Sequence, residues 1–192
     1  MVTPPSVLGS LEYCAGATID PHLYAILLLS IWLRPPGLGI SVLKESMLFT
    51  VLVVEDFQPF RQLLCALLQN NPQIQSIAEI GDGRQAVDKA RELQPDLILL
   101  DIGLPGLNGI EAALRIRRHS PLSKLIFVSS ECSVDVVKEA FDAGALGYLV
   151  KTDAARELGV AIETVLSGKS FVSATFSGKD LTSDADLPQP HS

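Results

Sequence analysis

The chain has 192 residues, 47% hydrophobic and 19% charged, which is enough apolar mass for one globular domain with extensions. A formal net charge of -7 argues against a broad nucleic-acid surface, because phosphate binding needs clustered Lys and Arg. The cysteines Cys14, Cys65 and Cys132 are odd in number and form no CxxC pair, which suggests neither a zinc site nor a disulfide framework and fits a reducing cytoplasm best.

Residues 1–46 differ from the rest. Pro4-Pro5 and Pro35-Pro36-Gly37 punctuate them, and no helical or strand period persists. The apolar run at 23–33 is 11 residues long, well short of the ~20 that span a bilayer. No Lys or Arg precedes it, whereas Glu12 and Asp20 do, so it does not read as a secretory signal. Met47 stands just before the first strong strand. The segment is therefore expected to be a disordered or mis-annotated extension with Met47 as the true start, and a membrane-associated helix is the alternative.

From Thr50 the pattern is regular. Val51-Leu52-Val53-Val54 reads as a buried strand ending in Glu55-Asp56. A helix over 59–69 follows, with Phe60, Leu63, Leu64, Leu67 and Leu68 on one face and a proline early. Asn70-Asn71-Pro72 breaks it. A strand over 74–80 turns through Gly81-Asp82-Gly83 into a helix running to about Leu93. This turn lacks the GxGxxG spacing of a nucleotide loop and reads as a simple βα turn.

Pro95 precedes a third strand, Leu97-Ile98-Leu99-Leu100, which stops at Asp101 and a loop rich in Gly and Pro. A helix over 108–118, a strand over 124–128 ending in Ser129-Ser130, a helix over 133–143 ended by Gly144, and a strand over 146–150 ending in Lys151 come next. Asp153 is expected to cap a last helix to Leu166, with Gly168 beyond it. Cys65 and Cys132, in or at the start of helices, read as small packing residues.

Five alternations of apolar strand and helix imply an α/β fold, with a parallel sheet covered on both faces. Right-handed crossovers leave few topologies, and the expectation is a flavodoxin-like (βα)5 three-layer sandwich with strand order 2-1-3-4-5. The domain is set at 47–170, and 171–192 as a short flexible tail.

In that order strands one, three, four and five are neighbours, and ligands bind at the carboxyl ends of such strands. Those ends carry Glu55-Asp56, Asp101, Ser129 and Lys151. Singly, each has an ordinary explanation: a helix cap, a turn residue, a solvated lysine. Jointly they bring three carboxylates, a hydroxyl and an ammonium to one sheet edge. Crowded carboxylates raise one another's pKa unless a cation sits among them, and hard oxygen ligands with room for water describe a Mg²⁺ site. Lys151 would offset charge on an anionic ligand and Ser129 would donate to it. His119 follows Arg117-Arg118 at a helix end, where a cationic side chain suits the dipole, and it is given no site role. Neither are His22 and His191.

These residues resemble the receiver domain of bacterial two-component response regulators. The resemblance covers roughly 50–168. It rests on Glu55-Asp56, on Leu100-Asp101-Ile102-Gly103-Leu104-Pro105-Gly106-Leu107-Asn108-Gly109, on Ser129, and on Gly144-Ala145-Leu146-Gly147-Tyr148-Leu149-Val150-Lys151, with 45 residues from Asp56 to Asp101. It implies that Asp101 accepts a phosphoryl group from a phosphohistidine on a sensor histidine kinase or phosphotransfer protein. It implies Mg²⁺ held by Asp56, Asp101 and the Gly103 backbone carbonyl, with Glu55 acting mainly through water. It also implies that Lys151 pairs with the phosphoryl group, that Ser129 moves to hydrogen-bond it, and that Tyr148 turns inward behind Ser129. The loop after the fourth strand and the helix beyond it would then be the element read by a downstream protein. Gly103 offers no side chain to shape access of water, and Glu131, two residues after Ser129, would orient or repel it.

Gly144 to Lys151 and Gly168-Lys169-Ser170-Phe171-Val172-Ser173 resemble receivers of the class that carries a helix-turn-helix output domain. Too few residues follow Gly168 for such a module, and Lys179 stands beside Asp180, Asp184 and Asp186. The expectation is a stand-alone cytoplasmic receiver that is no enzyme beyond its own phosphorylation and dephosphorylation. It acts through protein contacts, with a homodimer among the options and neither DNA nor membrane as partner. The alternatives are a transcription factor that has lost its DNA-binding domain and a phosphate-independent pseudo-receiver. An aspartate-nucleophile phosphatase would want a second aspartate where Gly103 stands.

Overall fold

All four residues of the strand Leu97–Leu100 are buried, because its side chains alternate between two apolar cores. Leu97 and Leu99 join one core, Ile98 and Leu100 the other. A strand covered on both faces belongs inside a parallel sheet, and the structure, a computed structural model that describes residues 48–176, places it there. Expectations for residues 1–46, for Cys14, His22 and His191, and for 177–192 lie outside the described residues.

In chain order the elements are β1 (Phe49–Val54), α1 (Gln58–Gln69), β2 (Ile74–Ile80), α2 (Gly83–Leu93), β3 (Leu97–Leu100), α3 (Gly109–His119), β4 (Lys124–Ser129), α4 (Val134–Asp142), β5 (Gly147–Val150), α5 (Ala154–Leu166) and β6 (Phe171–Val172). Single 3-10 turns cover Lys151–Asp153 and Ala174–Phe176. Every neighbouring pair in the sheet is parallel, in the order β2-β1-β3-β4-β5-β6. The flavodoxin-like 2-1-3-4-5 arrangement is therefore present and is extended by one strand.

That extension corrects the expected tail. Phe171 and Val172 pair with Gly147 and Tyr148, so the folded unit continues past residue 170 to Phe176. Two residues are too few to show a period of two, which hides the strand in the sequence.

Helices α1 and α5 cover one face of the sheet through Leu64, Leu68, Leu158 and Ile162. Helices α2, α3 and α4 cover the other through Ala86, Ala90, Ala112, Ile116, Val137 and Phe141. Asp82 starts α2 by accepting the backbone N–H groups of Arg84 and Gln85 at 2.9 Å each, so Gly81-Asp82-Gly83 is a capping turn. Asn108 starts α3 by accepting from the Glu111 N–H at 2.8 Å.

Two expectations fail locally. Asp153 precedes α5 but does not cap it: its carboxylate accepts instead from Arg156 Nη2 at 2.8 Å and Thr175 Oγ1 at 2.5 Å. Cys65 is buried as expected, but Cys132 is exposed, because it lies in the β4–α4 loop ahead of the helix. Among the described residues no helix is long and apolar enough to cross a membrane.

Candidate functional site

The parallel register brings the ends of β1, β3, β4 and β5 to one edge, with Val54 beside Leu100, Leu100 beside Phe127 and Phe127 beside Tyr148. The ladder continues one residue past the strands. Asp101 N–H donates to the Val54 carbonyl at 2.9 Å, and Glu55 N–H donates to the Ile80 carbonyl at 2.9 Å. Backbone hydrogen bonds therefore fix where both carboxylates leave the sheet.

Lys151 closes the group. Its Nζ lies 3.0 Å from Asp101 Oδ2, 2.9 Å from Glu55 Oε1 and 2.8 Å from Glu55 Oε2. Glu55 is fully buried, Asp101 is buried at 5% exposure, and Asp56 is exposed. The ammonium also stands 5.0 Å from the centre of the Phe60 ring, a cation–π contact from the first turn of α1. Lys151, Glu55 and Asp101 are thus in direct contact, and Asp56 brings an oxygen within 4.8 Å of those of Glu55 and Asp101.

The loops around the carboxylates need glycine. Gly109 packs so closely under Asp101 that an added Cβ would fall 2.0 Å from the Asp101 carbonyl oxygen, and one on Gly83 would fall 2.2 Å from the Leu107 carbonyl. Gly103 differs, because a Cβ there would meet nothing nearer than Asp101 Oδ2 at 3.6 Å. The Gly103 N–H donates to Asp101 Oδ1 at 3.2 Å, which orients the carboxylate. Arg61, one turn into α1, donates to the Glu55 carbonyl at 2.5 Å and pairs with Glu79 at 3.5 Å, holding the acidic pair from behind.

Electrostatics follow from burial and crowding. Burial raises the Glu55 carboxyl above its ordinary range; the Lys151 hydrogen bond pulls it down, and the Asp101 charge pushes it up again. Burial depresses Lys151, but its hydrogen bonds to Glu55 and Asp101 outweigh that and raise it overall. The donor set is one a small divalent cation fits. Three carboxylates converge, and Glu55 Oε2 is buried, close to the ammonium yet outside hydrogen-bonding geometry.

Ser129 is buried at the end of β4, and its Oγ accepts from the Glu131 N–H at 3.2 Å. Tyr148 is wholly buried and donates its phenol hydrogen to the Glu131 carbonyl at 3.0 Å. Both side chains thus bear on one loop residue, Glu131. The Tyr148 ring also packs edge-on against Phe176, with centroids 5.7 Å apart. Sequence reasoning missed Phe60, Arg61 and Phe176. The two helix residues carry no motif, since their roles come from tertiary contact, and Phe176 lies in a stretch that reads as a tail.

The response regulator receiver domain model matches residues 51–163. The transcriptional regulatory protein LiaR of Bacillus subtilis (strain 168) is 38% identical over 132 residues, covering 69% of this chain and 63% of LiaR. The chain thus spans less than two thirds of that relative's length. The crystal structure of a LuxR-family two-component response regulator from Aurantimonas sp. SI85-9A1 superposes with a TM-score of 0.65 at 30% identity, over 69% of this chain and 94% of that one. The response regulator domain of Thermotoga maritima CheB gives a TM-score of 0.58 at 31% identity, over 62% of this chain and 97% of its own. Sheet order, strand-end chemistry and these likenesses agree, and the chain belongs to the response regulator receiver domain family.

Proposed function

We propose that this chain is a phosphorylation switch in which Asp101 takes a phosphoryl group from a phosphohistidine on a histidine kinase or phosphotransfer protein. The observation that carries the reading is the Lys151 ammonium held 3.0 Å from Asp101 Oδ2, beside the converging oxygens of Glu55 and Asp56. An Asp101 oxygen bonds to phosphorus as the P–N bond of the donor breaks, and the leaving imidazole nitrogen keeps its electron pair. Such transfer depends on positioning and charge neutralisation rather than on a separate acid or base.

Asp56, Asp101 and the Gly103 backbone carbonyl would hold Mg²⁺, with Glu55 acting mainly through a bound water. When bound, the cation supplies charge neutralisation for the phosphoryl oxygens. Lys151 pairs with the phosphoryl group on its other side, and Ser129 donates a hydrogen bond to it. Tyr148, already inward, keeps the Glu131 loop in the arrangement that accompanies this contact. The β4–α4 loop and α4 then present an altered surface to a downstream protein. The switched surface acts through protein contacts, in the cytoplasm.

The test is intact-protein mass after incubation with acetyl phosphate, with and without Mg²⁺, on wild type and Asp101→Ala. The expected result is one phosphoryl adduct that needs Mg²⁺ and is absent from the variant. A folded wild type that gains no adduct and binds no beryllofluoride would point to a phosphate-independent interaction module.

A further inference from the structure

The segment after α5 runs along the far edge of the sheet and bonds to residues on either side of Lys151 in sequence, Val150 before it and Asp153 and Glu157 after it. Phe171 N–H donates to the Leu146 carbonyl at 2.9 Å and Ser173 N–H to the Tyr148 carbonyl at 2.9 Å, which docks the strap along β5. β6 stops at Val172, so Val150 N–H is met by a side chain: Ser173 Oγ accepts it at 2.9 Å in a buried site. Val150 is the residue before Lys151, and without that hydroxyl a buried donor would be orphaned. Beyond Lys151, Asp153 Oδ2 accepts from Thr175 Oγ1 at 2.5 Å, and Glu157 Oε2 accepts from Ala174 N–H at 3.3 Å. Phe176 then turns its buried ring edge-on to Tyr148, with ring planes at 86°.

We infer that Phe171–Phe176 is a positioning strap for the switch. Ser173 and Thr175 hold the turn that presents Lys151, and Phe176 holds Tyr148 inward. This rests on the reading of Asp101 as phosphoryl acceptor. Tyr148 swinging outward would cost the edge-on contact with the buried Phe176 ring, so the docked strap and the inward ring stabilise each other. A phosphoryl group that engages Ser129 favours the inward ring, and it therefore favours the docked strap. Linkage makes the effect reciprocal: a strap that docks poorly weakens acceptance at Asp101.

The test uses the full chain with Mg²⁺ and beryllofluoride as the phosphoryl mimic. Hydrogen exchange of the backbone amides at 171–176 is expected to slow about fivefold or more when beryllofluoride is added. In the converse arm, Phe176→Ala is expected to weaken beryllofluoride affinity, read by fluorine NMR, by a similar factor of about five. Phe176→Tyr restores it, and Mg²⁺ affinity alone stays at the wild-type value, since the carboxylates are untouched. Ser173→Ala is a second variant with the same expected direction. Strap exchange indifferent to beryllofluoride, together with wild-type affinity in Phe176→Ala, would overturn the inference while leaving Asp101 as acceptor. Failure of wild type to bind beryllofluoride would overturn the acceptor reading and the strap with it.

Discussion

Gly109 lies directly beneath the backbone of Asp101: an ideal Cβ at 109 would sit 2.0 Å from the Asp101 carbonyl oxygen, and the Gly109 N–H donates to the Ile102 carbonyl at 2.9 Å. The residue that starts α3 thereby sets the height at which Asp101 leaves β3. Gly109→Ala is expected to destabilise the domain by about 1–3 kcal/mol, the usual cost of overpacking, as measured by urea unfolding. Gly103→Ala gives the opposite contrast. Its Cβ would be in ordinary contact 3.6 Å from Asp101 Oδ2, so stability is expected to stay within about 0.5 kcal/mol. The added methyl stands where water would approach the carboxylate, and the lifetime of an acyl phosphate there is expected to lengthen.

Lys151 neutralises two buried carboxylates at once. Lys151→Ala would leave Glu55 and Asp101 facing each other without a cation. Fully buried pairs lose about 3–5 kcal/mol when one partner is removed. The Lys151 side chain keeps 19% of its exposure, so a loss of about 2 kcal/mol is expected at neutral pH. Added Mg²⁺ should recover much of it. Thermal unfolding of the variant with and without Mg²⁺ checks both statements.

The raised Glu55 carboxyl makes a pH prediction with a definite sign. Burial, the largest cause, lets the folded state hold this proton more tightly than the unfolded chain does. The group therefore costs no stability below its unfolded value. The cost grows as pH rises through the window up to its raised folded value and is complete above it. Glu55→Gln is expected to melt higher than wild type at neutral pH without metal, and the advantage should shrink on acidification. Lys151, also raised, contributes stability that is present below its unfolded value near 10.5 and is lost only as pH climbs through the folded value. It does not distort the acidic comparison. Melting curves across the acidic-to-neutral range, with Mg²⁺ omitted, provide the readout.

Cys65 and Cys132 should react differently. Burial pushes the Cys65 thiol up to about 11, with Glu79 adding to the effect and Arg61 opposing it, whereas Cys132 is exposed. Iodoacetamide at neutral pH is expected to label Cys132 readily and to leave Cys65 unmodified until the domain unfolds, as peptide mapping would show.

Much of this was legible from residue order. Leu97-Ile98-Leu99-Leu100 and Val51-Leu52-Val53-Val54 announce doubly covered strands because both faces of a parallel sheet are apolar, and Asp101 and Glu55 mark where each run meets solvent-side chemistry. Lys151 could be placed with them because parallel order fixes which strand ends are neighbours. Asp153 reads as a cap because it stands directly ahead of a helix, whereas its carboxylate is taken by Thr175, 22 residues along the chain. Arg61 was silent for the same reason, since its partner is a backbone carbonyl of the preceding loop. The stretch holding β6 stands out by its family likeness but not as a strand, since two residues and one hydroxyl, Ser173 Oγ, complete the edge of the sheet.

The central claim is that Asp101 carries the phosphoryl group, and the most direct measurement traps it in place. Protein treated with acetyl phosphate and Mg²⁺ is reduced with borohydride, which converts an aspartyl phosphate to homoserine, and the digest is then sequenced by mass spectrometry. The account predicts homoserine at position 101, dependent on Mg²⁺ and strongly reduced in Lys151→Ala. Homoserine at Asp56, or none anywhere in folded protein that has been shown to bind Mg²⁺, would contradict it.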